Sequence, residues 1–188
     1  LRTSSAASDV YKRQGGTIHD LSTNGYSFTS NFFSDMGAYQ ARNGEPNYLS
    51  MIFFSISLIL VGGTFALYYL VLPKVFGNNN RNYYLSWIGT IFALGGSICL
   101  IGTGLTPTDL TFDLHVFFAN NIFHCFLITS FFYSIVIFDT DILEKRYAFG
   151  YVVFFISILL YVGVLQFGPS VSTGKSELIF QVVAQKLI

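Results

Sequence analysis

The sequence predicts an all-α protein, a polytopic bundle of transmembrane helices. Hydrophobic residues make up 52% of the 188 residues and charged residues only 11%, whereas soluble domains carry about 25% charged residues. Four segments also reach the roughly 20 consecutive apolar residues that a helix needs to cross a bilayer. Because a segment in lipid must satisfy its own backbone hydrogen bonds, we expect helices despite the many β-branched and aromatic residues.

The first 49 residues are expected to lie outside this bundle. Residues 1–14, LRTSSAASDVYKRQ, resemble a translated sequencing adapter and lack the apolar core of a signal peptide. We interpret them as a non-native artefact of a metagenomic fragment. Residues 15–49 mix aromatic with polar side chains, which suits the headgroup layer of a membrane. The GEPN sequence at 44–47 predicts a turn into the first span, with Asn47 or Ser50 as its N-cap.

The apolar runs define four complete spans and one incomplete span. The complete spans are predicted at 50–72, 85–105, 114–138 and 149–167. The run at 178–188 is too short to cross a bilayer and predicts a truncated fifth span. In the second span, Gly89, Ala93 and Ser97 recur every four residues, which predicts a seam for close packing against another helix or a helical partner.

Lys and Arg residues in the short loops set the expected orientation. Four of them follow the first and third spans, namely Lys74, Arg81, Lys145 and Arg146. The opposite side holds Arg42 and Lys175. Since cytoplasmic loops carry an excess of basic residues, we expect the loops after the first and third spans to be cytoplasmic. The segment before the first span and the loop at 106–113 would then face outward.

The third span is unusual because it carries polar side chains at membrane depth. These are His115, Asn120, Asn121 and His124. The two histidines are nine residues apart, so on a regular helix they point to opposite faces about 13 Å apart along the axis and cannot bind one metal. Asn120, Asn121 and His124 share a face and are expected to form interhelical hydrogen bonds, with Ser97 or Thr103 as partners. A proton relay usually adds an intramembrane carboxylate, and no complete span contains one.

A second group of polar residues is expected at the outer ends of the second and third spans. The sequence TPTD at 106–109 fits a capping box, with Thr106 as the N-cap. A carboxylate such as Asp113 close to the His115 imidazole can orient it and stabilise its charged form. That pair could bind a cation, act as acid and base, or only stabilise the loop. The full candidate cluster comprises Ser34, Asp35, Arg42, Asp109, Asp113 and His115.

Three stretches of the chain resemble the domain-of-unknown-function 998 (DUF998) family of uncharacterised prokaryotic membrane proteins. They are YSFTSNFFSDMGA at 26–38, NGEPN at 43–47 and GTGLTPTDLTFDLH at 102–115. The resemblance covers residues 26–188. It implies about six helices, one of them before residue 15, and a prokaryotic plasma membrane. It implies no particular activity.

Three functions compete on these observations. Uninterrupted apolar spans, short loops and the lack of a complete set of catalytic residues favour a non-enzymatic membrane protein, such as a lipid-handling protein, a sensor or an interaction module. Its expected partner is the lipid bilayer. A metal-dependent hydrolase similar to the ceramidase and progestin-receptor superfamily would use Ser34, Asp35, Asp113 and His115. A small-solute transporter is the third hypothesis. Balanced charge, with 10 basic and 10 acidic residues, does not indicate a nucleic-acid partner, and no Cys or His spacing indicates a metal or cofactor site.

Overall fold

Helices make up the regular structure of the described chain. The computed structural model describes residues 15–188, so the adapter-like residues 1–14 lie outside the described part. The α-helices are α1 (Tyr48–Val71), α2 (Asn80–Leu105), α3 (Phe112–Phe138), α4 (Lys145–Phe167) and α5 (Lys175–Lys186), and 3₁₀ turns cover Phe33–Gly37 and Leu72–Phe76.

Four helices are long and apolar enough to cross a membrane: α1 with the 3₁₀ turn that follows it, α2, α3 and α4. The prediction of an all-α, membrane-embedded bundle is therefore confirmed. After Val71 the chain continues as a 3₁₀ turn, because Pro73 cannot donate the backbone hydrogen bond that would extend the α-helix. The last helix, α5, has 12 residues and is not one of these four.

The small residues of α2 let it pack closely against its neighbours. Gly89, Ala93 and Ser97, which were predicted to share a packing seam, are all buried. A Cβ atom at Gly96 would lie 2.8 Å from the ring of Phe126 on α3, so only glycine permits this approach. Such small-residue contacts allow the close van der Waals packing that stabilises helix pairs in membranes.

Residues 15–47 fold into a lobe that covers one end of the bundle, which we call the lobe end. The Asn31 side chain is fully buried inside this lobe. The lobe is fastened to the start of α1, where the Ser50 hydroxyl donates to the carbonyl of Met36 over 3.0 Å. Asn47 occupies the N-cap position without a side-chain cap bond. Its amide group instead donates to the carbonyls of Met36 and Ala38.

Tyrosine side chains join the helices at the end of the bundle away from the lobe. The hydroxyls of Tyr69 on α1 and Tyr151 on α4 lie 3.3 Å apart. Tyr133 on α3 is fully buried, and its hydroxyl lies 2.7 Å from that of Thr90 on α2. Buried hydroxyls need such partners because an unpaired polar group in an apolar interior is costly. These contacts bring α1 and α4 together at this end.

Candidate functional site

The lobe is tied to the turn between α2 and α3 mainly through Asp109. Both oxygens of its carboxylate accept hydrogen bonds, one from the backbone N–H of Tyr39 and one from that of Gln40, each over 2.8 Å. The Thr108 hydroxyl donates to the carbonyl of Ser34 over 3.0 Å. Bonds to an ionised carboxylate are about twice as strong as neutral ones. The turn and the lobe therefore form one unit.

These bonds correct the predicted capping box. α3 begins at Phe112 with Thr111 at the N-cap position, not at Pro107. Thr106 instead ends α2, and its hydroxyl donates to the carbonyl of Gly102 over 2.8 Å. The physical reason is that Asp109 binds two backbone amides of the lobe rather than an amide of its own helix.

Asp35 is the buried anion of the lobe. It is 4% exposed. Arg42 donates to its Oδ1 atom from Nε over 3.2 Å and from Nη2 over 3.0 Å. The Oδ2 atom accepts from the Asn31 amide and from the backbone N–H of Phe32, both over 3.0 Å. A carboxylate this buried is tolerated only when it is paired and hydrogen-bonded in this way.

His115 lies beneath the lobe at the start of α3 and is 2% exposed. Its Nδ1 atom is 2.5 Å from the carbonyl oxygen of Thr106. Because a carbonyl only accepts, Nδ1 carries the proton and supports the C-terminal end of α2. The Nε2 atom is buried without a hydrogen-bond partner among the described residues. Asp113, which was predicted to pair with this imidazole, is exposed.

The structure thus brings most of the predicted outer cluster together. Ser34, Asp35, Arg42 and Asp109 meet in and under the lobe, with His115 at the base of the lobe and Asp113 outside. Within residues 15–188 no group of three His, Cys, Asp or Glu side chains is placed to hold a metal ion. Beside the cluster lies a cavity of about 390 Å³. Its polar lining residues are Thr17, Asp35, Gln40, Arg42, Thr108 and Asp109, and the others are residues of the lobe and Phe112 of α3.

The polar residues deeper in α3 bond to their own helix. The Asn121 amide donates to the carbonyl of Phe117 over 2.8 Å, and Nδ1 of His124 donates to that of Asn120 over 2.9 Å. The expected partners do the same in α2, where Ser97 and Thr103 donate to the carbonyls four residues earlier. Asn121 and His124 therefore do not form the predicted bonds to Ser97 or Thr103, because for each of these side chains the carbonyl one turn back is the nearer acceptor.

A cavity of about 360 Å³ lies between α1 and α4 at the lobe end. The residues that line it on α1 and α3 are all apolar. They are Phe54, Leu58, Val61 and Phe65 on α1 and Ala119, Ile122, Phe123 and Phe126 on α3. The lining is completed by Leu100 and Thr103 of α2, Phe154 and Ile158 of α4, Phe33 and Ser34 of the lobe, and Gln185 and Ile188 at and after the end of α5. The sequence did not predict this cavity, because in a helix that is apolar on all sides a cavity wall has no distinguishing pattern.

An aromatic cage stands at the mouth of this cavity and consists of Tyr26, Phe28 and Phe33. Their ring centroids lie 4.9, 4.5 and 5.4 Å from Nζ of Lys186 at the end of α5. The same ammonium donates to the carbonyls of Phe28 and Asn31. Burial lowers the pKa of Lys186, and the negative charge of Asp35 partly opposes this effect. Sequence reasoning missed the cage because Lys186 is 153 residues or more from its three rings in the chain.

Comparison with known proteins places the chain in a family. A family model described as "Protein of unknown function (DUF998)" matches residues 15–185. No curated protein and no solved structure matches the chain. The matched region includes the whole lobe and all four apolar helices, and it contains the stretches that resemble this family in the sequence. The chain therefore belongs to the DUF998 family.

Proposed function

We propose that the protein is a non-enzymatic lipid-handling protein that binds an acyl chain in the cavity between α1 and α4. The observation that carries this proposal is the apolar cavity itself, which lies among helices long enough to cross a bilayer. Its volume of about 360 Å³ falls in the range of about 300–1,000 Å³ that is usual for ligand sites.

Exposure of the cavity walls favours an occupant that comes from the bilayer. Phe33, Val61, Phe65 and Phe154 all line the cavity, yet each exposes between 37% and 42% of its surface. These side chains therefore contact whatever surrounds the bundle. An acyl chain could enter from the side without leaving an apolar environment, so entry would cost little desolvation.

Chemistry of the lining disfavours the small-solute transporter. Its polar side chains are Ser34, Thr103 and Gln185, and the Thr103 hydroxyl already donates to the carbonyl of Cys99. A hydrophilic solute would lose its hydrogen bonds to water and find few replacements, which costs several kcal/mol for each unpaired polar group. The hydrolase hypothesis gains no support from a pair of Asp113 and His115, since one is exposed and the other buried.

Native mass spectrometry tests the proposal on the full chain extracted from phospholipid vesicles with a mild detergent. Leu58 lines the cavity, whereas Leu60 on the same helix is 64% exposed. We expect the wild type and Leu60→Trp to retain one phospholipid and Leu58→Trp to lose it. Ala119→Phe, which fills the cavity from α3, should behave like Leu58→Trp.

Circular dichroism would establish that each variant is folded before its lipid content is compared. Absence of bound lipid from the folded wild type would refute the proposal. The proposal would also be refuted if Leu58→Trp and Ala119→Phe retained as much lipid as the wild type, because the lipid would then lie on the outer surface of the bundle.

A further inference from the structure

We propose that the aromatic cage is a binding site for a quaternary ammonium group, and that Lys186 fills this site until such a group displaces it. The ligand is the choline headgroup of a phospholipid or a free choline-like molecule. For the phospholipid, the inference rests on the proposed function, because the acyl chain would occupy the cavity between α1 and α4.

The cage has the geometry that attracts a cation. Three ring centroids lie within 5.4 Å of one ammonium nitrogen. Each aromatic face carries partial negative charge, and several rings around one point form the arrangement that recognises quaternary ammonium groups. The buried carboxylate of Asp35 adds a favourable field at the same place.

Lys186 is a replaceable occupant of this cage. Its ammonium group is strongly hydrated in water, and within residues 15–188 it recovers two protein hydrogen bonds, to the carbonyls of Phe28 and Asn31. Burial consequently disfavours its charged form. A trimethylammonium group has no N–H to satisfy, so it loses less on entering the cage and relies on the rings alone.

The cage is accessible and continuous with the cavity. Phe28 and Phe33 are 62% and 42% exposed, so an external group can reach their rings. Phe33 belongs to both the cage and the cavity wall, and Gln185 and Ile188 on either side of Lys186 also line the cavity. A phospholipid with its headgroup in the cage would therefore have its acyl chain at the cavity mouth.

Displacement of Lys186 requires movement of only the last turn of α5. Gln181, one turn earlier, is held by the carbonyls of Val164 and Pro169. The end of the helix is fastened to the lobe by Lys186 and by Gln185, whose side-chain oxygen accepts from the backbone N–H of Phe33 over 3.2 Å. Breaking these terminal contacts leaves the remainder of α5 in place.

The experiment compares phosphatidylcholine with phosphatidylethanolamine of identical acyl chains, since both are zwitterionic and differ only in the three methyl groups. Retention of each lipid by the full chain is measured by native mass spectrometry, and binding of free choline by calorimetry. Lys186→Met should raise retention of phosphatidylcholine over phosphatidylethanolamine by about tenfold. Lys186→Arg, which keeps a cation in the cage, should behave like the wild type.

A second substitution tests whether the rings cause the preference. Phe28→Leu in the Lys186→Met background should abolish the preference for phosphatidylcholine while total lipid retention stays the same. Binding of free choline to Lys186→Met would show that a soluble quaternary ammonium compound suffices. Preference for phosphatidylcholine without choline binding would identify the lipid headgroup as the ligand. Both results support the cage.

Failure of this inference differs from failure of the proposed function. Equal retention of the two lipids by folded Lys186→Met, without choline binding, would overturn the cage and leave acyl-chain binding intact. Absence of any retained lipid in the wild type would refute the proposed function. Choline binding to Lys186→Met in that case would still support the cage as a site for a soluble ligand.

Discussion

Replacing Asp109 with Asn should loosen the lobe from the bundle. The carboxylate accepts one backbone N–H on each oxygen, both over 2.8 Å. Asn keeps one acceptor but points an NH₂ group at the second backbone N–H, so one bond is lost and the other becomes neutral. Since a hydrogen bond to a charged group contributes about 1.5–3 kcal/mol, we expect a local loss of about 2–3 kcal/mol. This loss corresponds to roughly 30- to 150-fold faster local opening.

Hydrogen exchange at the backbone amides of Tyr39 and Gln40 measures this opening directly. Asp113→Asn provides a matched control, because Asp113 is exposed and makes none of these bonds. Exchange at the two amides should accelerate in Asp109→Asn and stay unchanged in Asp113→Asn. Unchanged exchange in Asp109→Asn, or equal acceleration in both variants, would refute the assignment of Asp109 as the anchor of the lobe.

Two further predictions concern packing and pH. Gly96→Ala should lower the thermal unfolding midpoint in detergent, because the new Cβ would lie 2.8 Å from the Phe126 ring. We expect the free energy of unfolding to fall by about 1–3 kcal/mol. In the control variant Gly63→Ala the new Cβ would have no atom within 4 Å, so the midpoint should stay unchanged or rise slightly. Hydrogen bonds from the hydroxyl and backbone N–H of Ser22 lower the pKa of Asp20. The contribution of these bonds to lobe stability should thus be present above the ordinary pKa of about 3.9 and disappear as pH falls through the lowered value. An NMR titration should show that Ser22→Ala raises the Asp20 pKa; an unchanged value would contradict the assignment.

The sequence was sufficient to predict a membrane protein, because length and hydropathy alone determine which helices can cross a bilayer. It also predicted the small-residue seam of α2, since a spacing of four residues places side chains on one helix face whatever the tertiary structure. The capping-box prediction, in contrast, assigned the wrong hydrogen-bond partner to Asp109. A capping box depends only on local spacing, whereas the amides of Tyr39 and Gln40 are about 70 residues away and come near only after the lobe folds.

The polar side chains of α3 show a second limit of sequence reasoning. Sharing a helix face correctly groups Asn120, Asn121 and His124, but the shared face does not say whether each side chain bonds across the interface or back to its own backbone. In this chain Asn121 donates to the carbonyl of Phe117 and His124 donates to the carbonyl of Asn120, each one turn earlier. Side chains with a local acceptor within reach need no neighbouring helix, so polarity alone is a weak predictor of interhelical contacts.

Coupling between the lobe and the cavity follows from the position of the 3₁₀ turn at Phe33–Gly37. Consecutive residues of this turn serve different parts of the molecule: Phe33 and Ser34 line the apolar cavity, and the buried Asp35 forms an ion pair with the partly exposed Arg42. The ion pair fixes the turn, so it also fixes the wall of the cavity and one ring of the aromatic cage. A perturbation of Arg42 should therefore reach the cavity without any residue of the cavity being changed. The burial of Asp35 is consequently best explained as preorganisation of the lobe over the cavity, since an ion pair between a buried carboxylate and a partly exposed guanidinium adds little net stability by itself.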